Sequence, residues 1–260
     1  KTQDKKFMKI KPLITIYITN YNYGKYIEAS IKSAINQTYK NLEIIVIDDC
    51  SSDSSINIIK KFKKKYMMKT IFNKNRKGLI KSANIAIKAS KGKFVLRLDA
   101  DDILHPNAVK ELYTKVKKNT KSVLIFSDYL NINERSTTTS IFKYKRKKNF
   151  SVQDPPAHGA CSLIKKNFLK KFGFYNEKFD RQDGFYIWIL IHLKNFKVIH
   201  CKKALFYYRK HKKNLTRNRY KILKTRLKIL NYFILKKTKY ESKISSIKKK
   251  TIMEINKLKH

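Results

Sequence analysis

Hydrophobic positions in the first hundred residues alternate between short β-branched runs and stretches whose apolar residues recur every three or four places. Residues 13–19, Leu-Ile-Thr-Ile-Tyr-Ile-Thr, form the first run, and the polar turn from Asn20 to Gly24 ends it, which reads as a buried strand. Over 25–37, Ile27, Ile31, Ala34 and Ile35 keep helical spacing. A second strand is predicted over 42–47, stopped by Asp48-Asp-Cys-Ser-Ser52, with a lysine-rich helix over 53–65 and a short strand over 67–72 after it. Residues 78–89 read as a helix with Leu79, Ala83, Ala86 and Ile87 on one face, and 94–98 as a strand running straight into Asp99-Ala-Asp-Asp102.

Strands separated by single helices predict an α/β fold with right-handed crossovers and a mostly parallel sheet flanked by helices. Ligands of such sheets bind at the carboxyl ends of the strands. Three strands end in polar clusters, at 19–22, 48–52 and 99–102, so all three are expected on one rim. Beyond Pro106 the pattern changes: a helix over 106–118, a strand over 122–127, and a polar stretch up to Asn149. A helix around 161–171, a helix over 183–193 that is apolar on most faces, and one or two strands over 197–209 complete the body.

With 42% hydrophobic and 12% aromatic residues, a substantial core is expected and wholesale disorder is excluded. Six Gly and four Pro in 260 residues exclude collagen-like or linker-rich chains. No apolar run nears the roughly 18 residues of a membrane span, and no signal peptide is legible. Three cysteines without paired spacing (Cys50, Cys161, Cys201) read as reduced thiols rather than a disulfide or zinc framework. Together these predict a cytoplasmic protein. The first residue is Lys1 rather than Met, and residues 1–9 read as an N-terminal tail of a chain that is either whole or cut from something longer.

The net charge of +44, from 62 basic and 18 acidic residues, admits a nucleic-acid or anionic-membrane partner. Lysine far outnumbers arginine, however, and dedicated phosphate readers lean on arginine. Drift in composition is the better reading, and nucleic acid is disfavoured. Against so few acids, Asp99, Asp101 and Asp102 within four positions stand out. Carboxylates two apart at a strand end suit Mg²⁺ or Mn²⁺, which take one or two protein carboxylates plus phosphate oxygens and water. The competing reading is a solvated acidic turn that caps the next helix.

Thr19-Asn-Tyr-Asn22, Ser33-Ala-Ile-Asn-Gln-Thr-Tyr39, Ile47-Asp-Asp-Cys-Ser-Ser-Asp53 and Arg97-Leu-Asp-Ala-Asp-Asp-Ile-Leu-His-Pro106 fall in order. Gly173-Phe-Tyr175, Gln182-Asp183 and Tyr207-Tyr-Arg-Lys-His211 continue the series. Order and spacing resemble the family 2 glycosyltransferases of GT-A fold over roughly residues 10–212. The resemblance implies a nucleotide-sugar-binding half at 10–105, an acceptor half at 106–212, and a basic helical extension at 213–260. It implies an inverting hexosyl- or N-acetylhexosaminyl-type transferase using a nucleotide-diphosphate donor, a UDP-sugar foremost, a divalent cation (Mn²⁺ or Mg²⁺), and a glycan or lipid-linked acceptor. By the same resemblance, Thr19, Tyr21, Asn22 and Asp49 contact the nucleotide, and Asp99 contacts ribose and metal. Asp101 is the principal metal ligand and His211 lies near the metal or diphosphate. Lys81 and Arg76 are candidate phosphate neighbours, although solvated side chains are the commoner outcome in so lysine-rich a chain. Asp183 is the candidate base, with Asp180 the alternative if the register slips; helix capping is its structural reading. His158-Gly159 resembles the segment before the acceptor-site helix, and Trp188 either lines that site or belongs to the core.

Residues 212–260 hold 17 Lys or Arg against two acids, a net of +15. Leu223, Leu227, Leu230 and Ile234, then Ile244 and Ile247, mark one or two basic amphipathic helices. Their apolar stripe either packs on the catalytic domain or rests on the anionic inner face of the cytoplasmic membrane. The alternative to a transferase is a non-enzymatic basic module that binds nucleic acid or a membrane surface, which leaves the ordered Asp clusters unexplained. A Gly-rich phosphate loop is absent after the first strand, which argues against nucleotidyltransferases and dinucleotide dehydrogenases.

Overall fold

The computed structural model describes residues 11–145, 150–156, 159–235 and 240–258; the expected tail at 1–9 and His158 lie outside the described residues. β1 (Ile14–Asn20) is buried along its whole length, because β2 (Leu42–Asp48) and β4 (Phe94–Asp99) flank it in parallel and β3 (Lys69–Phe72) extends the same sheet beyond β2. Alternation along β1 feeds two cores. Ile14, Ile16 and Ile18 pack with Ile27 and Ile31 of α1 (Ile27–Ile35) and Ile59 of α2 (Ser55–Lys65). Tyr17 faces the other way, into a core with Ile80, Ala83 and Ile87 of α3 (Leu79–Ala89). Each aliphatic side chain so buried contributes about 1.5–3 kcal/mol.

The second half adds β5 (Ile103–Leu104), α4 (Ala108–Lys118), β6 (Ser122–Ile132), β7 (Thr138–Phe142), β8 (Leu163–Lys165), α5 (Lys166–Lys171), α6 (Asp183–Leu193) and β9 (Lys197–Arg209). The sheet runs β3-β2-β1-β4-β8-β6-β9-β5, with β7 paired to β6. The first four strands pair in parallel throughout. β8 enters antiparallel between β4 and β6, whereas β6 and β9 pair in parallel. This is the GT-A arrangement, a curled mixed sheet with flanking helices.

Three details differ from the pattern reading. β6 continues past residue 127 because its polar residues find partners: Asp128 meets His200 at 2.8 Å and Asn131 bonds Ser140 at 2.9 Å. The helix expected from 161 starts only at Lys166, because Leu163–Lys165 pairs with β4 and β6 as a strand. Residues 197–209 make one continuous strand. α6 is buried at every position from Phe185 to Ile191, in keeping with its apolar sequence.

A 3-10 turn (Leu215–Arg217) leads to α7 (Arg219–Ile234) and α8 (Glu241–Lys257), which pack together. Ile229, Leu230 and Phe233 of α7 and Ile244 of α8 join the core shared by α3 and α6. Ile222 and Leu223 are also buried, whereas Leu227 and Ile234 are half-buried. Among the described residues no helix is long and apolar enough to cross a membrane.

Candidate functional site

Strand register brings the polar clusters side by side. Thr19 lies opposite Asp99 and Asn20 opposite Asp48, so the carboxyl ends of β1, β2 and β4 form one edge of a cleft of about 460 Å³. Thr19, Tyr21, Asn22, Asp49, Asp99, Asp101 and Asp183 all line it.

At one end, Arg76 stacks its guanidinium over the Tyr21 ring at 4.1 Å. Asp49 fixes the loop that carries Arg76. Its Oδ1 accepts from Asn73 Nδ2 and the Lys77 N–H, each at 2.8 Å, and its Oδ2 accepts from the Gly78 N–H at 2.7 Å. Gly78 sits at φ +87°, a conformation open to glycine without strain. Burial alone would raise the Asp49 pKa, but the hydrogen bonds from Lys77, Asn73 and Gly78 outweigh it and hold the carboxyl below its ordinary value. Asn22 clips two loops, accepting from the Ser52 N–H at 2.8 Å and donating its own N–H to Ser51 Oγ at 2.9 Å.

Of the two phosphate candidates, one lines the cleft and the other does not. Arg76 is held against Tyr21 and the Asp49 loop. Lys81 is exposed on α3 and does not line the cleft, because Leu79 and Ser82 occupy the turn that faces it.

At the Asp99–Asp102 turn, Asp101 Oδ2 meets His211 Nε2 at 2.8 Å and Asn214 Nδ2 at 3.3 Å. The His211 ring is held between Tyr23 and Tyr26, with centroids at 5.6 and 5.2 Å. Asp102 points away, accepting the Arg209 N–H at 2.9 Å, while Arg209 Nε donates to the Asp101 carbonyl at 2.8 Å. The second acid of the pair therefore anchors β9 and leaves Asp101 on the cleft. Asp99 Oδ1 lies 3.0 Å from Arg97 Nε without hydrogen-bond alignment and, among the described residues, has no hydrogen-bond partner. Desolvation, then the neighbouring Asp101 and Asp183 charges, outweigh Arg97 and push the Asp99 carboxyl up to about 6.

Among the described residues no three His, Cys, Asp or Glu side chains form a preformed metal cage. A Mg²⁺- or Mn²⁺-type site does not need one, since substrate phosphates and water complete its shell. Asp101, His211 and the underpartnered Asp99 oxygen fit that pattern.

Across the cleft, Asp183 opens α6, and its Oδ2 accepts from Arg97 Nη1 in a buried ion pair. Among the described residues Oδ1 makes no hydrogen bond. Gly159 lies against this pair: a Cβ there would sit 3.4 Å from Asp183 Oδ2. Asp180 is outside the cleft lining, 68% exposed and bonded to Arg181. Trp188 is core, fully buried against Phe126 and Phe150 and donating to the Ser151 carbonyl at 2.9 Å.

Pattern reading missed three contributors. Arg97 was legible as a charge inside an apolar strand, which demands a partner once buried. Arg226 and Ile222 line the cleft from α7, and nothing in their spacing separates them from the solvated cations around them.

The mixed sheet thus carries an acidic rim on its parallel strands, with a carboxylate facing it across the cleft. Residues 15–173 match the description "Glycosyl transferase family 2", and the chain belongs to that family. An uncharacterized glycosyltransferase of Haemophilus influenzae is 40% identical over 122 residues, 46% of this chain and 38% of its own length. The chain thus spans well under half of that relative. The Escherichia coli UDP-Glc:alpha-D-GlcNAc-diphosphoundecaprenol beta-1,3-glucosyltransferase WfaP is 30% identical over 214 residues, 81% of this chain and 82% of its own. Among solved structures, Staphylococcus aureus TarS 1-349 with UDP-GlcNAc superimposes at TM-score 0.72 and 19% identity, covering 92% of this chain and 71% of that one. The Pyrobaculum calidifontis mannosyltransferase PcManGT with GDP-Man and Mn²⁺ superimposes at TM-score 0.68 and 14% identity, covering 87% and 65%.

Proposed function

We propose that this protein transfers a sugar, with inversion, from a nucleoside-diphosphate donor, a UDP-sugar foremost, to a hydroxyl of a glycan carried on a lipid diphosphate. The observation that carries this reading is one cleft lined by Tyr21 and Asp49, by Asp99 and Asp101, and by Asp183 opposite them. The reaction named for the Escherichia coli relative supports the choice of donor and acceptor.

In this account Tyr21 offers a ring face to the base, Asp49 accepts its N–H, and Asp99 meets the ribose. Asp101, His211 and Asp99 hold a divalent cation, which when bound neutralises charge on the departing diphosphate. Asp183 Oδ1 accepts the acceptor hydroxyl's proton as that oxygen bonds to the anomeric carbon and the carbon–diphosphate bond breaks. Attack opposite the leaving group inverts the configuration, as with the single base of inverting glycosidases. Arg97 keeps Asp183 oriented.

Work on a lipid-borne acceptor suits a cytoplasmic enzyme resting on the inner membrane face. Exposed Leu235, Met253 and Leu258 around α7 and α8 stand among lysines, a mixture that suits an anionic bilayer.

Calorimetry with UDP, with and without Mn²⁺, tests the donor half. Metal-enhanced UDP binding that Asp101→Ala weakens at least tenfold is expected. Equal UDP affinity in wild type and Asp101→Ala at saturating Mn²⁺ would overturn the metal assignment.

A further inference from the structure

α7 brings one guanidinium into the cleft. Arg226 Nε donates to Gln182 Oε1 at 2.7 Å, and the guanidinium lies over the Phe185 ring at 5.1 Å. Gln182 stands at φ +62° immediately before Asp183, so Arg226 holds the backbone turn that presents the candidate base. Neutral Gln182 cannot balance its charge. Among the described residues Arg226 makes no ion pair, and no hydrogen bond reaches its Nη atoms. Burial, then the nearby Arg219 charge, outweigh the more weakly felt Glu254 carboxylate and lower the Arg226 pKa. Arg181 lines the same wall, its guanidinium engaged by exposed Asp180. Apolar Ile222 and Phe185 flank the two.

A largely buried cation with no anion in hydrogen-bond contact gains when a ligand supplies one, and a guanidinium fork matches phosphate geometry. The donor's diphosphate has its own place at the Asp99–Asp101–His211 turn. Arg226 stands instead on the Asp183 side, reached through the adjoining residue. We infer that Arg226, assisted by Arg181, forms an anion subsite in the acceptor half, which takes the phosphate or diphosphate on the sugar whose hydroxyl meets Asp183. This inference rests on the acceptor reading above. It makes α7 a wall of the acceptor site, one that selects phosphorylated acceptors over neutral glycans.

The test is calorimetry on full-length protein saturated with UDP and Mg²⁺, titrated with octyl phosphate and with inorganic phosphate. Binding of either probe is expected to weaken at least tenfold in Arg226→Gln and to recover in Arg226→Lys, with UDP affinity within twofold of wild type in both. Tighter binding of octyl phosphate assigns the ligand to a lipid-linked phosphate, and equal binding to a soluble sugar phosphate. Absence of binding to wild type, or equal binding to Arg226→Gln at an unchanged melting temperature, overturns the subsite. A parallel fall in UDP affinity overturns it too, by giving Arg226 to the donor. Failure of wild type to bind UDP at all instead sinks the transferase reading on which it rests.

Discussion

Arg97 donates to Asp183 Oδ2 through Nη1 while its Nε lies 3.0 Å from Asp99 Oδ1. A single buried guanidinium therefore ties the end of β4, on the donor side, to the start of α6, on the acceptor side. Removing one partner of a buried pair leaves an uncompensated charge and costs about 3–5 kcal/mol. Arg97→Met is expected to destabilise by that amount in denaturant unfolding. A change below about 1 kcal/mol, the usual range for exposed pairs, would show that the pair is solvated.

Asp183→Asn tests the base. Turnover is expected to fall roughly 10²-fold or more while UDP affinity survives. A near-normal rate in that variant, together with an inactive Asp180→Asn, would move the role to Asp180.

Asp49 fixes the 73–78 loop through three hydrogen bonds. Asp49→Ala leaves Tyr21 without the ordered Arg76 above it, and UDP affinity is expected to drop about tenfold or more, since a charge-assisted hydrogen bond is worth about 1.5–3 kcal/mol. Unaltered UDP affinity in calorimetry would remove Asp49 from the base site.

α7 and α8 share the core of the catalytic body. Truncation after His211 strips Ile229, Leu230 and Phe233 from that core, so the shortened chain is expected to aggregate or lose cooperative unfolding. Ile229→Ala, in the full chain, is expected to cost about 2–5 kcal/mol. A truncated protein that melts like the parent would make these helices an appendage.

The thiols differ in a way that pH reveals. Cys50 is exposed, whereas burial pushes the Cys161 thiol up to about 12. Only thiolate alkylates, so at pH 8 iodoacetamide is expected to label Cys50 and spare Cys161 until the protein unfolds and its thiol returns to about 8.5. Mass spectrometry reads the result; rapid native labelling of Cys161 would contradict its burial in the core.

The first four strands were legible because each is a short apolar run bounded by turn residues, and the register that aligns Thr19 with Asp99 follows from parallel pairing. The second half was harder for physical reasons. Leu163–Lys165 is too short to show a period, and Asp128 and Asn131 look like chain breaks until their partners across the sheet are seen. At the site, the acid cluster itself marked Asp99 and Asp101, and the family resemblance implied Asp49, Asp183 and His211. Neither could find Arg226, which differs from its neighbouring cations only in the Gln182 and Phe185 contacts that tertiary packing supplies. Lys81 shows the converse: proximity in sequence to the cleft without a side chain on its face.

The most direct test of the whole account is a transfer assay. Purified protein is incubated with Mn²⁺, a panel of UDP-sugars and a synthetic α-GlcNAc diphosphate bearing an alkyl chain, and products are read by mass spectrometry and NMR. The account predicts a glycosylated acceptor with inverted anomeric configuration, abolished by EDTA and reduced roughly 10²-fold in Asp183→Asn. A retained configuration, or transfer undiminished by both EDTA and Asp183→Asn, would contradict it.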